Sequence, residues 1–350
     1  MLSSSAVLIR IEVIGYNMSA CSRACALAAG MCFVAALHAG AARSAESRAP
    51  AAFPVKPVQL VVPFSAGGPN DLFGRALARK MSESMGQPFV VVNRDGAAGV
   101  IGTELVAKAA PDGYTLLFNG SGPLSIEPAF RRKLVYDPRR DFSPIGLFAK
   151  IPFVLIVHSA LPAQDVSALV ALAKARPGKL NYGSAGTGGA TFLACELFKS
   201  MTRTDIVHVP YKGAAPAVTA LMSAQVELAF VGPSAALPGA RSGRLRALAT
   251  TGTERLEQLP DVPTMSQAGV TGYEFTQWYG LLAPARVPRG IVSALHAALL
   301  AATSDTEVRA RVSEQGGTMT PSSPEDFAAL IASELEKSAQ TIKAAGIKRE

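Results

Sequence analysis

The chain has 350 residues, 49% hydrophobic and 17% charged, with 34 Lys+Arg against 26 Asp+Glu for a formal net charge of +8. That balance excludes a disordered or heavily solvated polymer, and the length suits about two domains. The 31 Gly and 24 Pro follow no G-X-Y period, which excludes a collagen, and one Trp leaves little material for stacking nucleic-acid bases.

Residues 27–42 are apolar or small apart from His38, with Arg23 ahead of them and Ala-Gly-Ala at 39–41. This reads as a secretory signal peptide spanning 1–44. A membrane anchor is disfavoured because the continuous apolar run falls short of the roughly 18–20 residues that a span needs. Met18 is an alternative start, and cleavage after Ala41 or after Ser44 fits equally. Removal takes Arg10, Arg23, Arg43 and Glu12, leaving +6, and takes Cys21, Cys25 and Cys32. Cys195 then has no intramolecular disulfide partner. The mature chain is expected to be an exported, soluble protein that binds no nucleic acid.

From Pro57 onward, β-rich runs alternate with helical patterns. Strands are expected at 58–64, 89–93 and 115–120, with helices at 70–85 and 98–110 between them. Phe73, Leu77, Met81 and Met85 make the apolar stripe of the first helix. A second set begins near Pro152, with strands at 153–159, 180–184, 206–211, 226–231 and 245–252. Its helices are expected at 165–176, 190–201 and 215–223. The run 273–284 leads back out, and helices follow at 290–303, 306–315 and 324–345, the last opened by Ser323-Pro324-Glu325-Asp326. Alternation of this kind predicts parallel, doubly wound α/β lobes. One lobe is expected from 53–152 plus 276–350 and the other from 153–275, with the C-terminal helices packed on the first.

Catalytic and metal motifs are missing: there is no G-x-S-x-G, P-loop, H-E-x-x-H or cysteine pair after processing. No enzyme activity, cofactor or metal is expected. His208, within IVHVPY, reads as a hydrogen-bonded strand histidine ahead of a general base. What recurs is a strand ending in a Gly-rich loop that opens a helix: FSAGGPND at 64–71, GSAGTGGAT at 183–191 and PYKGAAPA at 210–217. Glycine admits close approach of a ligand, and the helix N-terminus behind it offers unpaired N–H groups and partial positive charge. Such loops suit carboxylates, although any single βα loop needs glycine merely to turn. Asp71 reads either as a cap of its own helix or as a ligand contact, and Lys212 as a solvated lysine or one facing an anion. Cys195 is expected in the core, and Trp278 either lines the cleft or packs in the return strand.

With VVPFSAGGPNDLFGR at 61–75, APDGYTLL at 110–117, PGKLNYGSAGTG at 177–188, HVPYKGAAPA at 208–217 and WYGLLAPARVP at 278–288, the chain resembles the Bug-type extracytoplasmic receptors of tripartite tricarboxylate transporters. The resemblance covers about Phe53 to Gly346. It implies a type II periplasmic-binding-protein fold, two α/β lobes around a ligand cleft, and a periplasmic protein that delivers a small organic acid or amide to integral-membrane transporter subunits. The alternative is a ligand sensor docking to a kinase or regulator; the chain is expected to act as a monomer. The implied ligand-binding residues are Phe64, Ser65, Ala66, Gly67, Gly68 and Asp71; Ser121 and Gly122; Ser184, Ala185, Gly186, Thr187 and Gly188; Tyr211, Lys212 and Gly213; and Gly232, Pro233 and Ser234. Departures from the family pattern at Phe192, Ala220 and Val231 turn the expectation toward a less polar acid or an amide-type ligand.

Overall fold

The computed structural model describes residues 53–349, so the signal-peptide reading of 1–44 lies outside the described residues. The first sheet contains β1 (Val58–Val62), β2 (Phe89–Asn93), β3 (Thr115–Gly120), β4 (Phe142–Pro152), β10 (Thr276–Pro284) and β11 (Thr318–Met319), in the order β11-β4-β10-β3-β1-β2. The second contains β5 (Val154–His158), β6 (Asn181–Ser184), β7 (Val207–Pro210), β8 (Leu228–Val231) and β9 (Leu245–Thr250), in the order β7-β6-β8-β5-β9.

Each sheet has a parallel half: β2-β1-β3 in the first and β7-β6-β8 in the second. The remainder corrects the all-parallel expectation. β10 runs antiparallel to β3 and β4, and β5 antiparallel to β8 and β9. The reason is the double crossing. The chain leaves the first sheet where β4 ends and returns at the same edge, since Thr276 pairs with Pro152; β10 must therefore run against β4.

Among the described residues ten helices cover the sheets: α1 (Pro69–Met85), α2 (Val100–Ala107), α3 (Glu127–Phe130), α4 (Val166–Ala175), α5 (Ala190–Thr202), α6 (Ala214–Met222), α7 (Pro233–Arg241), α8 (Arg289–Ser304), α9 (Thr306–Glu314) and α10 (Pro324–Ala344). Phe73, Leu77 and Met81 of the expected α1 stripe are fully buried, and Met85 packs beside them. Their core also holds Phe118 and Phe148 of the sheet and Leu295 and Leu299 of α8. On the opposite face Phe327 and Ile331 of α10 pack with Trp278. The end of α10 continues onto α5, where Ile342 meets Leu193. The second sheet buries Leu155, Tyr182, Phe198 and Phe230 against its own helices.

Thr251 ties the two crossings together. Its hydroxyl accepts the Phe153 N–H at 2.7 Å and donates to the Phe275 carbonyl at 2.6 Å. Its backbone bonds the same two residues, and their rings stack at 6.0 Å.

Candidate ligand-binding site

Parallel neighbours end at a common edge, and this places the expected loops. β1 and β3 bring residues 64–71 and 121–122 to one edge of the first sheet. β6, β7 and β8 bring 184–189, 211–213 and 232–234 to one edge of the second. Gly188 of the second set lies against α3, the short helix that follows residues 121–122: an added Cβ there would lie 3.1 Å from the Phe130 ring and 3.2 Å from Glu127.

The helices that open at these edges share a feature. α1, α5, α6 and α7 start at Gly68, Gly189, Gly213 and Gly232, and none has a side-chain cap. Gly68 (φ −83°, ψ 170°) and Gly189 (φ −79°, ψ 168°) adopt nearly the same geometry in different sheets. By contrast, the side chains of Asp165, Asp305 and Ser323 cap α4, α9 and α10. At the loop edges the first N–H groups are left for another acceptor, with the positive end of the helix dipole behind them.

In the first loop, Ser65, Ala66 and Gly67 are exposed, Phe64 and Gly68 are half-buried, and Asp71 is buried. The Asp71 carboxylate accepts from the Gly67 N–H (3.0 Å), Arg75 Nε (3.0 Å) and Asn93 Nδ2 (2.9 Å). Burial pushes its pKa upward, but Arg75, the Gly67 N–H and Asn93 together hold the group below its ordinary value. Asn93 also donates to the Phe64 carbonyl at 3.0 Å. Asp71 is thus the internal clamp of the loop. Ser121 is buried at the end of β3, and Gly122 begins a π-helical turn held by Ser125 Oγ donating to the Ser121 carbonyl at 2.7 Å.

In the third loop Ser184 is buried, Ala185 and Gly186 are half-buried, Thr187 is exposed and Gly188 is buried. Gly186 and Gly188 have φ of +130° and +77°, conformations that favour glycine. Ser184 Oγ lies 2.7 Å from His208 Nε2 and accepts the Gly186 N–H at 3.1 Å. The His208 ring stacks on Tyr182 at 4.8 Å and meets Phe192 at 4.7 Å; burial pushes its pKa down to about 4. Beneath it, Glu196 accepts from the Tyr182 hydroxyl and Lys199, each at 2.7 Å. Tyr211 and Gly213 are half-buried, Lys212 is exposed, and Gly232, Pro233 and Ser234 run from half-buried to buried to exposed. Pro233 touches Gly316, just before β11.

Trp278 packs in the core of the return strand, edge-on to Phe327 at 5.4 Å. Cys195 is a buried free thiol. Ala220 and Val231 belong to the apolar core beside α6, and Phe192 packs edge-on to Phe130 at 6.4 Å. Two positioning residues escaped the sequence reading: Asn93 as an anchor of the first loop, and Thr251. The signal for Asn93 is register, since it pairs with Val62 immediately before that loop. Among the described residues no group of three His, Cys, Asp or Glu is placed to hold a metal, and no helix is long and apolar enough to cross a membrane.

Residues 73–347 match the model of the tripartite tricarboxylate transporter family receptor, TctC. The chain is 35% identical to protein BugT of Bordetella pertussis over 297 residues, covering 85% of this chain and 91% of BugT. Among solved structures, Rpa4515 of R. palustris with adipate superposes with a TM-score of 0.77 at 36% identity, covering 85% of this chain and 99% of that one. MatC (Rpa3494) of Rhodopseudomonas palustris with bound malate gives 0.74 at 33% identity, covering 83% and 100%. The family match spans nearly all of the described residues; the chain belongs to the tripartite tricarboxylate transporter receptor family.

Proposed function

We propose that the chain captures a small carboxylate-bearing solute between its two lobes and hands it to the membrane subunits of a tripartite transporter. The observation that carries this reading is the set of four uncapped, glycine-started helices at the loop-bearing edges of the two sheets. A carboxylate supplies the acceptor oxygens that such helices lack. The ligand contacts are assigned to the loops at 64–68, 121–122, 184–188, 211–213 and 232–234, with Asp71 holding the first loop in shape. Adipate on Rpa4515 and malate on MatC support the ligand class. The lobes are taken as 53–152 with 276–350, and 153–275, joined at the Thr251 tie. Export on a cleaved segment ending near residue 44 accounts for the apolar N-terminus, and the protein works as a monomeric binder without turnover. Native mass spectrometry of freshly purified protein, followed by calorimetry with small mono-, di- and tricarboxylates, tests this. A bound organic acid with no chemical conversion is expected; absence of binding by every acid in the panel would overturn it.

A further inference from the structure

Asn70 is the polar head of an otherwise apolar stripe. It faces the first sheet together with Phe73, Leu77 and Met81 of α1 and is only 7% exposed. Neither end of its amide makes a hydrogen bond, and Oδ1 is sealed from the surface. Phe73, one turn further along, packs edge-on to Tyr279 at 5.2 Å, and Tyr279 pairs with Gly120 at the end of β3. Because α1 opens beyond the end of β1 and runs back along the sheet, Asn70 lies nearer than Phe73 to the edge where residues 64–68 and 121–122 emerge.

Two more polar groups lie at that edge. Ser121 is 3% exposed, and its Oγ is buried without a partner, although its carbonyl is bonded. Tyr279 is 3% exposed; its hydroxyl makes no hydrogen bond within the protein, but its oxygen is not sealed from the surface. Asp71 and Asn119, by contrast, are satisfied, Asp71 by Gly67, Arg75 and Asn93, and Asn119 by donating to Thr103. Buried polar groups in folded proteins are nearly always paired, so the two unpaired ones, Asn70 Oδ1 and Ser121 Oγ, with the free Tyr279 hydroxyl on the neighbouring strand, point to a missing partner at this edge.

We infer that Asn70, Ser121 and Tyr279 form an uncharged subsite for a ligand group that both donates and accepts hydrogen bonds, a hydroxyl or a carboxamide beside the captured carboxylate. This rests on the carboxylate-capture reading above. A primary amide offers donors at nitrogen and an acceptor at oxygen, whereas an ionised carboxylate only accepts and would leave Asn70 Oδ1 bare. Arg75, the cation nearest along α1, is committed to Asp71 and Asn93 and supplies no counter-charge there. The subsite therefore favours hydroxy acids and half-amides over plain dicarboxylates.

The test is calorimetry on matched pairs: malate against succinate, tartrate against malate, succinamate against succinate and adipamate against adipate. In the tightest-binding pair, the hydroxyl or amide member is expected to bind at least about tenfold tighter in the wild type. In Asn70→Leu, which keeps the volume, that ratio is expected to fall to within about twofold. Tyr279→Phe removes one oxygen within intact ring packing, so it serves if Asn70→Leu fails to fold, and it should also reduce the ratio. Binding without discrimination in the wild type, or a ratio that survives in the folded variants, would overturn the subsite while leaving carboxylate capture standing. Failure of every acid to bind the folded wild type would overturn capture itself, and the subsite with it.

Discussion

His208 shows how one residue couples the loop at 184–188 to pH. Its imidazole is held neutral by burial, with a pKa pushed from 6.5 down to about 4, while Nε2 pairs with Ser184 at the start of the third loop. Between those values the unfolded chain binds a proton that the native state refuses, so stability rises with pH across this window. The protein is expected to lose stability as pH falls from 6.5 toward 4. Denaturant melts of His208→Gln should show a shallower slope there than the wild type. Asp71 acts in the same direction through the opposite charge: its depressed pKa contributes stability above the ordinary carboxylate range, which is lost as acid protonates it. Asp71→Ala strands the Gly67 N–H, Asn93 and Arg75, and is expected to cost about 2 kcal/mol at neutral pH. The sequence left Asp71 open between cap and ligand contact. Its answer came from Asn93, which is 22 residues away and adjacent only through strand register.

Among the elements, legibility followed local chemistry. The α1 stripe and the Ser323-Pro324 start of α10 lie where the pattern predicts them, because periodicity and capping are written within a turn or two. β4, α7 and β11 were not legible. Pro144 and Gly146 interrupt β4, and β11 covers only Ala149 and Lys150, so Pro144 sits where β4 is the free edge and needs no outward N–H. Pro238 and Gly239 break the helical pattern of α7, which nonetheless buries Pro233 and Ala236. The Thr251 tie was equally silent, because a threonine carries no sign of which distant strand ends it will join. Thr251→Val keeps the shape but leaves the buried Phe153 N–H and Phe275 carbonyl without their hydroxyl partner. At about 1–3 kcal/mol for each such group, a loss of about 2 kcal/mol or more is expected in denaturant melts. Hydrogen exchange should accelerate at the Phe153 and Phe275 amides while the core of α1 stays protected.

On the scale of the whole molecule, ligand capture should read out as stability. A ligand that binds only the folded protein, present at about 100 times its Kd, adds about 2.7 kcal/mol. For about 300 residues, an unfolding entropy near 2.1 cal/mol/K per residue corresponds to roughly 0.6 kcal/mol per degree. The melting temperature should therefore rise by about 4 °C, provided the lobes unfold together as their shared helix α10 and the Thr251 tie favour. The glycine N-caps supply the control. Gly68 has φ of −83°, which any residue adopts, and a Cβ there would meet nothing within 4 Å. Gly68→Leu should fold with a melting temperature within about 2 °C of the wild type, since an apolar N-cap costs at most about 1 kcal/mol. Its side chain occupies the space in front of the first N–H groups of α1, where a carboxylate would sit. The ligand-induced rise should then shrink below about 1 °C at the same ligand concentration. Gly243→Ala, in the turn between α7 and β9 at the edge of the second sheet opposite the loops, has φ of +69° and should lower the unliganded melt through backbone strain while keeping the full ligand-induced rise. If Gly68→Leu keeps the full rise, the uncapped helix N-terminus of α1 is not where the ligand is held.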